Sequence, residues 1–302
     1  MPVLHRTPFV EVYVAKYIYQ EWDDKIDAHL SINKFDSYED GLEKFDGDTV
    51  YISIVNSSHY YYAKLSLELG YHTIIDKPAT MTFAEAQQLC DIARDKHLLL
   101  SEATVYLYHP QIKQISQLFR EYNDEPKLIT THFSMPPFES KNFRYNIKLG
   151  GGAIMDTSPY AVSIARYFLH SELMNVSVAV NEVNCDGLEV EYSLLMQYYG
   201  GKCLIGHFGF NTEYTNSIML MGNRLNVSLD RIYTIPDDME NQIYIQSMNK
   251  KTTIHTACGN TFVNYLCDIA DCILRGDFRQ YRDMLIRDAM DRQMILDNYK
   301  NF

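Results

Sequence analysis

Short apolar runs alternate with segments of helical pattern through the first third of the chain. The runs are rich in Val, Ile and Tyr and have the length of buried strands, whereas the segments between them carry helix start and stop residues. The predicted strands cover residues 9–17, 49–55, 71–76 and 97–103. Strands that alternate with helices are typical of βαβ units, so this part predicts a Rossmann-like α/β domain with a parallel sheet.

Three helices are predicted between these strands. The first covers residues 37–45, and the second covers 57–70, with serines at its start and Gly70 at its end. The third begins after Thr82 and runs to about residue 96, because Thr82 and Glu85 have the spacing of a capping box. Each helix returns the chain to the same end of the sheet, as parallel strands require.

The rest of the chain has longer runs in which apolar and polar residues alternate. Such runs, joined by Gly, Asn and Asp turns, predict a large and mostly antiparallel open sheet in an α+β domain. The runs are KLITTHFSM, NVSVAVNEV, LEVEYSLLMQYY, KCLIGHFGF, SIMLMGNRLNVSL and NQIYIQSM. Helical patterning marks residues 110–121, 157–170 and 261 to the end. We therefore predict two domains, 1–108 and 109–302, with the C-terminal helices packing back on the first.

Composition excludes several classes of function. The chain has 302 residues and a formal net charge of −12, so nucleic acid and anionic membranes are poor partners. No apolar run reaches the roughly 18 residues of a membrane span, and the N-terminus lacks the pattern of a secretory signal. The six cysteines form no C-x-x-C pair, and the ten histidines show no ligand spacing. These features favour a metal-free cytoplasmic protein with reduced thiols.

Four stretches in register resemble the Gfo/Idh/MocA family of oxidoreductases. SIVNSSHYYYAKLSLELG contains the family's Asn and His, here Asn56 and His59, and GYHTIIDKP corresponds to its E-K-P motif. SEATVYLYHP matches an E-A pair that leads to a proline, and GGGAIMDTSPY matches G-G-G-x-x-x-D-x-x-x-H or Y. The resemblance covers nearly the whole chain. It implies a Rossmann-like domain, a second domain with an open sheet, and hydride transfer between NAD(P) and a sugar.

One family motif has no counterpart in this sequence. None of the 14 glycines belongs to a G-x-G-x-x-G or -A turn, which in the family binds the cofactor diphosphate. Residues 1–17 resemble the part of the family between the first helix and the second strand. We therefore expect a first domain that lacks roughly 20 residues at the front of a unit of about 30.

The resemblance implies a catalytic role for three residues. Lys77 corresponds to the family's lysine where nicotinamide and substrate meet, and Tyr160 occupies the acid/base position, which is histidine in many members. Asp156 precedes Tyr160 by four residues and would share its helical face and orient both groups. Desolvation would lower the pKa of Lys77, and a phenol can donate a proton to an alkoxide. Taken singly, Lys77 could be a solvated turn residue, Asp156 an N-cap, and Tyr160 one of 24 tyrosines.

The resemblance also implies residues that bind the cofactor, NAD or NADP. They are Asn56, His59, Lys77, Pro78, Glu102 and Lys16. Lys16 lies where dinucleotide folds choose between a ribose hydroxyl and a 2′-phosphate, so a basic residue favours NADP. Asn56 could instead form a turn, with Ser57 or Ser58 capping the helix. Glu102 could lie one layer behind the site.

Two features upstream of the helix at 157–170 concern the substrate. Arg144 and Tyr145 are candidate substrate contacts, because the planar guanidinium suits a carboxylate or phosphate; a surface salt bridge is the alternative for Arg144. The glycines 150–152 could cradle a phosphate. Their position favours a close backbone turn that brings Asp156 and Tyr160 to the site.

The leading prediction is an NAD(P)-dependent oxidoreductase that passes a hydride to or from a sugar or nucleotide sugar. The tyrosine at position 160 is more similar to the ketoreductase and glucose–fructose branches than to inositol dehydrogenase. The alternative is a cofactor-free pseudoenzyme that acts as a binding or assembly protein. The absence of the glycine-rich turn is the observation that suggests it. The open face of the second sheet is commonly a dimer surface in this family, so the resemblance implies a homo-oligomer.

Overall fold

The computed structural model describes residues 12–15, 32–35, 37–44 and 46–299. Within these residues, the first third of the chain contains a two-stranded and a three-stranded parallel sheet. Their strands are β1 (Val12–Ala15), β2 (Ile32–Phe35), β3 (Thr49–Ile52), β4 (His72–Asp76) and β5 (Leu100–Ala103). Strands β1 and β2 pair with each other, and β4 lies between β3 and β5. The parallel arrangement that the sequence predicts is thus present.

Helices α1 (Tyr38–Lys44), α2 (His59–Leu69) and α3 (Phe83–Asp95) connect these strands. The predicted capping box is confirmed: the N–H of Glu85 donates to Thr82 Oγ1, and the N–H of Thr82 donates to Glu85 Oε2. Helix α2 ends at Gly70, whose φ of 98° is readily adopted by glycine. Local signals therefore place both helix ends correctly.

Two predicted strands are shorter than expected. Strand β3 stops at Ile52, because the chain turns into a short 3₁₀ helix at Asn56–Ser58. Strand β5 begins only at Leu100, since His97 adopts a positive φ of 56° that belongs to a turn. The predicted strand at 9–17 is described only over β1, and Lys16 lies outside the described residues.

An eight-stranded sheet follows, with the order β13-β12-β11-β10-β6-β9-β8-β7. Its strands are β6 (Leu128–Ser134), β7 (Leu173–Val183), β8 (Glu189–Tyr198), β9 (Lys202–Gly209), β10 (Thr215–Met221), β11 (Asn226–Asp230), β12 (Gln242–Ser247) and β13 (Lys250–His255). Every neighbouring pair is antiparallel except β6 with β9. The prediction of a large, mostly antiparallel sheet is therefore confirmed.

The run predicted at 217–229 is not one strand but the hairpin of β10 and β11. The turn between them is held by Asp124, whose carboxylate accepts the N–H groups of Asn223, Arg224 and Leu225. This correction has a tertiary cause, because Asp124 precedes the turn by about 100 positions.

One face of the large sheet is covered by α4 (Pro110–Glu121) and α5 (Ala153–Leu169), and its inward side chains form the largest core cluster. The described residues leave the other face open, and Ile205 and Tyr244 are exposed on it. Helix α5 begins at Ala153 rather than near Asp156, and Gly152 is its N-cap residue. Asp156 is therefore in the first turn and is not an N-cap.

Helices α6 (Thr261–Arg275) and α7 (Arg279–Tyr299) end the described chain and are separated at Gly276, with φ of 69°. Leu285 and Ala289 of α7 pack in the core cluster of the first-domain strands and helices, and Ile295 packs in that of the large sheet. One helix thus contacts both parts of the molecule.

Among the described helices, none is long and apolar enough to cross a membrane. In the same residues, no group of three or more His, Cys, Asp or Glu side chains is arranged to hold a metal ion. All six cysteines are free thiols.

Candidate active site

The candidate site lies where the first turn of α5 meets the carboxyl ends of the parallel strands. Strands β3, β4 and β5 end at one edge, where open α/β sheets bind ligands. Lys77 follows β4 directly, and its peptide bond to Pro78 is cis. Helix α5 brings Asp156 and Tyr160 to the same edge.

The glycine run before α5 allows its backbone to pass close to the loop after β3 and to the backbone of Arg144. A Cβ on Gly150 would lie 2.7 Å from Asn56 Cβ, and one on Gly151 would lie 2.6 Å from the carbonyl oxygen of Arg144. The Nδ2 of Asn56 donates to the carbonyl oxygen of Gly150 at 2.9 Å. Gly150 and Gly152 also have positive φ angles of 78° and 110°. This geometry supports a close turn rather than a phosphate cradle.

Two cations hold the carboxylate of Asp156. Lys77 Nζ donates to Asp156 Oδ1 at 2.9 Å and to the carbonyl oxygen of Asp156 at 2.7 Å. Arg144 Nε donates to Asp156 Oδ2 at 3.0 Å. Because Asp156 is only 4% exposed, water screens these contacts weakly. The geometry brings three of the predicted site residues together.

The pKa values of this pair shift in opposite directions. Burial alone would raise the pKa of Asp156, but the charges and hydrogen bonds of Lys77 and Arg144 outweigh it and lower the pKa. Burial alone would lower the pKa of Lys77, but the Asp156 charge outweighs it and raises the pKa. The expected lowering of the Lys77 pKa is therefore wrong. Both groups carry their charges at neutral pH.

The ring of Tyr160 is held in an aromatic cluster. Its centroid lies 4.9 Å from those of Phe133 and Tyr233 and 5.7 Å from that of Tyr106. Lys77 Nζ lies 4.8 Å from the Tyr160 centroid, within the range of a cation–π contact. Burial raises the Tyr160 pKa, and the Lys77 charge opposes part of that shift. The phenol is therefore protonated at neutral pH and can act as a proton donor.

Arg144 and Tyr145 lie on a short 3₁₀ turn beside Asp156. The Arg144 guanidinium carbon lies 4.9 Å from the Phe138 ring centroid and 4.8 Å from that of Phe143. The Tyr145 hydroxyl accepts the N–H of Phe138 at 3.0 Å. Arg144 does form a salt bridge, but its partner is the buried carboxylate of the site rather than a surface group.

The other predicted cofactor residues are bound to protein atoms. Nδ1 of buried His59 lies 2.7 Å from the carbonyl oxygen of Pro78, and Nε2 lies 3.1 Å from that of Ile54. Burial lowers the His59 pKa, and the ring links the loops after β3 and β4. Glu102 is buried and bonded to Arg292, one layer behind the site. Direct cofactor contact by Asn56, His59, Pro78 and Glu102 stays a prediction.

The described strand ends fit the nicotinamide end of a dinucleotide. Ser53 is exposed and Ile54 and Val55 are half-buried just after β3, and the paired strand β4 leads directly into Lys77. The Ser53 hydroxyl donates to the carboxylate of Asp76, as does that of Tyr51. Ligands of open α/β sheets bind outside the carboxyl ends of the strands, so the Ser53 hydroxyl and the Asp76 carboxylate lie where a bound dinucleotide would meet Lys77. Most of the chain before β3, including Lys16, lies outside the described residues.

Sequence reasoning missed the charged residues that lie beneath the site. Arg292 on α7 donates to Glu102, and Asp288 on the same helix accepts from Arg166 of α5. A signal was present, because charges of both signs at i, i+4 interrupt the apolar face of α7. Their partners are distant in sequence, so the pattern alone could not name them.

A parallel α/β sheet with Lys77 at a strand end, joined to an open-sheet domain that supplies Asp156 and Tyr160, agrees with the predicted class, an oxidoreductase that uses a nucleotide. Residues 2–104 match the model of the Gfo/Idh/MocA oxidoreductase family with its NAD-binding Rossmann fold. Residues 124–229 match the C-terminal domain of the same family. The chain belongs to the Gfo/Idh/MocA family. The predicted family, the fold class and an NAD(P)-binding domain are thereby confirmed.

Two curated relatives are dTDP-3,4-didehydro-2,6-dideoxy-α-D-glucose 3-reductases. That of Saccharopolyspora spinosa is 30% identical over 210 residues, which are 69% of this chain and 63% of the relative's own length. That of Actinomadura kijaniata is 25% identical over 293 residues, 96% of this chain and 88% of the relative. Both names describe the predicted type of enzyme, an oxidoreductase of a nucleotide sugar. They favour that prediction over the pseudoenzyme alternative.

The fold is also that of a solved relative. A mutant of the 3-ketoreductase KijD10 from Actinomadura kijaniata, in complex with TDP-benzene and NADP, superimposes with a TM-score of 0.91. The two are 23% identical, and the match covers 98% of this chain and 92% of that one. The likeness shows that the eight-stranded sheet and the parallel sheet are arranged as in that ketoreductase.

Proposed function

We propose that this chain is an NADP-dependent oxidoreductase that reduces a keto group on a nucleotide sugar. The observation that carries the proposal is the convergence of Lys77 with Asp156 and Tyr160 at the carboxyl edge of the parallel sheet. The names of the nucleotide-sugar reductases that resemble the chain support this substrate class.

When bound at the strand ends beside Lys77, NADPH would supply the hydride that reduces the carbonyl carbon of the substrate. Tyr160 donates its phenolic proton to the carbonyl oxygen as negative charge develops on it. Lys77, a cation over the Tyr160 ring, stabilises the phenolate that remains. Asp156 keeps Lys77 protonated and fixed in position.

Arg144 is proposed to contact the substrate. Its Nε is held by Asp156 and its plane lies against the rings of Phe138 and Phe143, so the guanidinium is oriented before a ligand arrives. The planar group has further N–H donors beyond the one that Asp156 accepts, and these can bind a hydroxyl or a phosphate oxygen. Tyr145, next to it, is proposed as a second substrate contact.

The preference for NADP rests on two observations. The sequence has Lys16 near the end of β1, where a cation suits a 2′-phosphate. The solved ketoreductase of the same fold holds NADP. We also propose that the NADP-binding domain ends near residue 108, and that Asn56, His59 and Pro78 belong to its site, with Glu102 one layer behind them.

The test combines binding and turnover. Fluorescence titration with NADPH and NADH is expected to give micromolar affinity for NADPH and weaker affinity for NADH. Oxidation of NADPH is then followed with a panel of dTDP- and UDP-linked keto sugars, with the free keto sugars as controls. Turnover of the nucleotide-linked substrates alone supports the proposal. No NADPH binding up to millimolar concentration, or no turnover of any keto sugar, contradicts it.

We further propose that the protein acts in the cytoplasm as a homo-oligomer joined through the open face of the large sheet. Ile205 on β9 is 47% exposed and Tyr244 on β12 is 48% exposed on this face. Sedimentation equilibrium is expected to show a dimer or larger species that Ile205→Glu weakens. Leu274→Glu, on α6 and 83% exposed, is the control. A monomeric wild-type protein at micromolar concentration would rule the oligomer out.

A further inference from the structure

The last helix, α7, contacts both elements that carry the candidate site. Asp288 and Arg292 lie four residues apart and therefore on one face of this helix. The carboxylate of Asp288 accepts hydrogen bonds from Nε and Nη2 of Arg166, a residue of α5, at 2.6 and 3.1 Å. Arg292 reaches in the other direction, to the turn that follows β4.

Arg292 holds that turn directly at Thr80 and indirectly through Glu102 of β5. Its Nη1 donates to Glu102 Oε1 at 2.7 Å, and its Nη2 donates to the carbonyl oxygen of Thr80 at 3.1 Å. The same Oε1 of Glu102 accepts the N–H of Ala79 at 2.8 Å. Ala79 and Thr80 directly follow Lys77 and Pro78 in the chain. A single guanidinium therefore fixes the backbone beside Lys77 from beneath.

These contacts are shielded from water. The side chains of Glu102 and Arg292 are each 4% exposed, as is that of Asp288, and that of Arg166 is 17% exposed. Buried ion pairs of this kind add little net stability, because desolvation offsets most of their attraction. Their main effect is on geometry, because the planar guanidinium of an arginine holds two acceptors at fixed positions relative to each other.

We infer that the Asp288–Arg292 face of α7 is a positioning clamp that sets the distance between Lys77 and Tyr160. Arg166 lies six positions after Tyr160 on the same helix, so its bond to Asp288 fixes α5. Arg292 fixes the Lys77 turn against the same helical face. The inference rests on the proposed function, because the clamp serves the same proton-donating site.

The test uses two variants of the clamp and one control in the full chain. The double variant Glu102→Gln/Arg292→Met removes both charges, so neither is left buried without a partner. Arg292→Lys keeps the charge but loses the planar fork. The control is Arg279→Met, because Arg279 pairs with Asp283 at the same spacing on the same helix, with side chains 82% and 56% exposed.

Four quantities are measured for each variant: kcat and KM with a keto-sugar substrate, the Kd for NADPH, and amide exchange of peptides that cover residues 77–82 without ligands. For the double variant we expect kcat to fall about 10- to 100-fold, because small displacements of reacting groups have effects of this size, with the Kd for NADPH within about threefold. Amide exchange over 77–82 should accelerate. Arg292→Lys should be intermediate, and Arg279→Met should match the wild type.

A folded double variant with wild-type kcat or with wild-type exchange at 77–82 would overturn the inference. If the double variant does not fold, Arg292→Lys carries the same two measurements and the same criterion. A wild-type protein that turns over no keto sugar would contradict the proposed function. Exchange at 77–82 needs no substrate, so it would still decide whether the clamp orders the Lys77 turn.

Discussion

Lys77 Nζ donates hydrogen bonds to both the carboxylate and the main-chain carbonyl of Asp156. Lys77 and Asp156 are 79 positions apart in the sequence. The double contact fixes the ammonium group above the Tyr160 ring. It also sets the charge states, because each partner favours the ionised form of the other. The site is therefore assembled with its charges in place.

Replacing Lys77 by Met should lower kcat by about 100- to 10,000-fold, the range typical for loss of a group that assists proton transfer. The variant keeps the side-chain length but removes the cation above Tyr160. Affinity for NADPH, measured by fluorescence, should change far less. Lys64→Met is the control, since Lys64 is 43% exposed and forms only a weak pair with Glu68. A Lys77→Met variant with more than half of the wild-type kcat would contradict the proposed role.

Replacing Tyr160 by Phe should lower kcat by about 100-fold or more while leaving KM nearly unchanged, because the ring remains and only the proton donor is lost. Steady-state kinetics with a keto-sugar substrate measure both constants. Tyr233→Phe is a matched control: Tyr233 packs on Tyr160, but its hydroxyl binds Thr131. If the two variants lose activity equally, packing rather than proton donation explains the effect.

Replacing Gly150 by Ala should destabilise the protein and lower kcat. The added Cβ would approach Asn56 and push the glycine turn away from the loop after β3. A positive φ also costs an alanine about 1 kcal/mol. Gly187→Ala separates the two effects, because Gly187 has nearly the same φ of 77° with nothing within 4 Å of its Cβ.

Thermal unfolding and kcat of the two alanine variants measure this difference. Gly187→Ala should lose stability only through the backbone angle and should keep the wild-type kcat. Gly150→Ala should lose about 1 to 3 kcal/mol more, the range for an overpacked site, and should lose activity as well. Equal Tm values and equal activities would show that the turn tolerates displacement.

The parts of this structure that the sequence predicts are local in origin. The Thr82–Glu85 capping box and the Gly70 helix end involve residues at most a few positions apart, and both are confirmed. Strand β13 was not predicted, because most of its residues are exposed and its sequence, KKTTIH, has little apolar alternation. A polar edge strand of this kind is recognised only beside its neighbour.

The parts that the sequence does not predict depend on distant partners. The sequence predicts a lowered pKa for Lys77, because it indicates the desolvation of the ammonium group but not the strength of its contact with Asp156. Arg292 was missed because its partner Glu102 is 190 positions away. The resemblance located Lys77, Asp156 and Tyr160, but the support beneath them is a property of the folded chain.

Asp291 on α7 should make stability depend on pH around neutrality. Burial and the nearby Asp288 charge raise its pKa to about 7, although Arg166 and Arg287 oppose the shift. An unfolded aspartate has a pKa near 3.9, so between about pH 4 and 7 the folded protein holds a proton that the unfolded chain releases. The free energy of unfolding therefore decreases as pH rises through this interval.

Asp291→Asn removes this ionisation, so the variant should be more stable than the wild type at pH 8, by at most about 4 kcal/mol. At pH 4, where Asp291 is protonated in the folded state, the difference should be small. Urea unfolding at both pH values measures it. Asp283→Asn, on the same helix but 56% exposed, should show little difference at either pH. If Asp291→Asn were no more stable than the wild type at pH 8, Asp291 would have to be ionised in the fold at little cost.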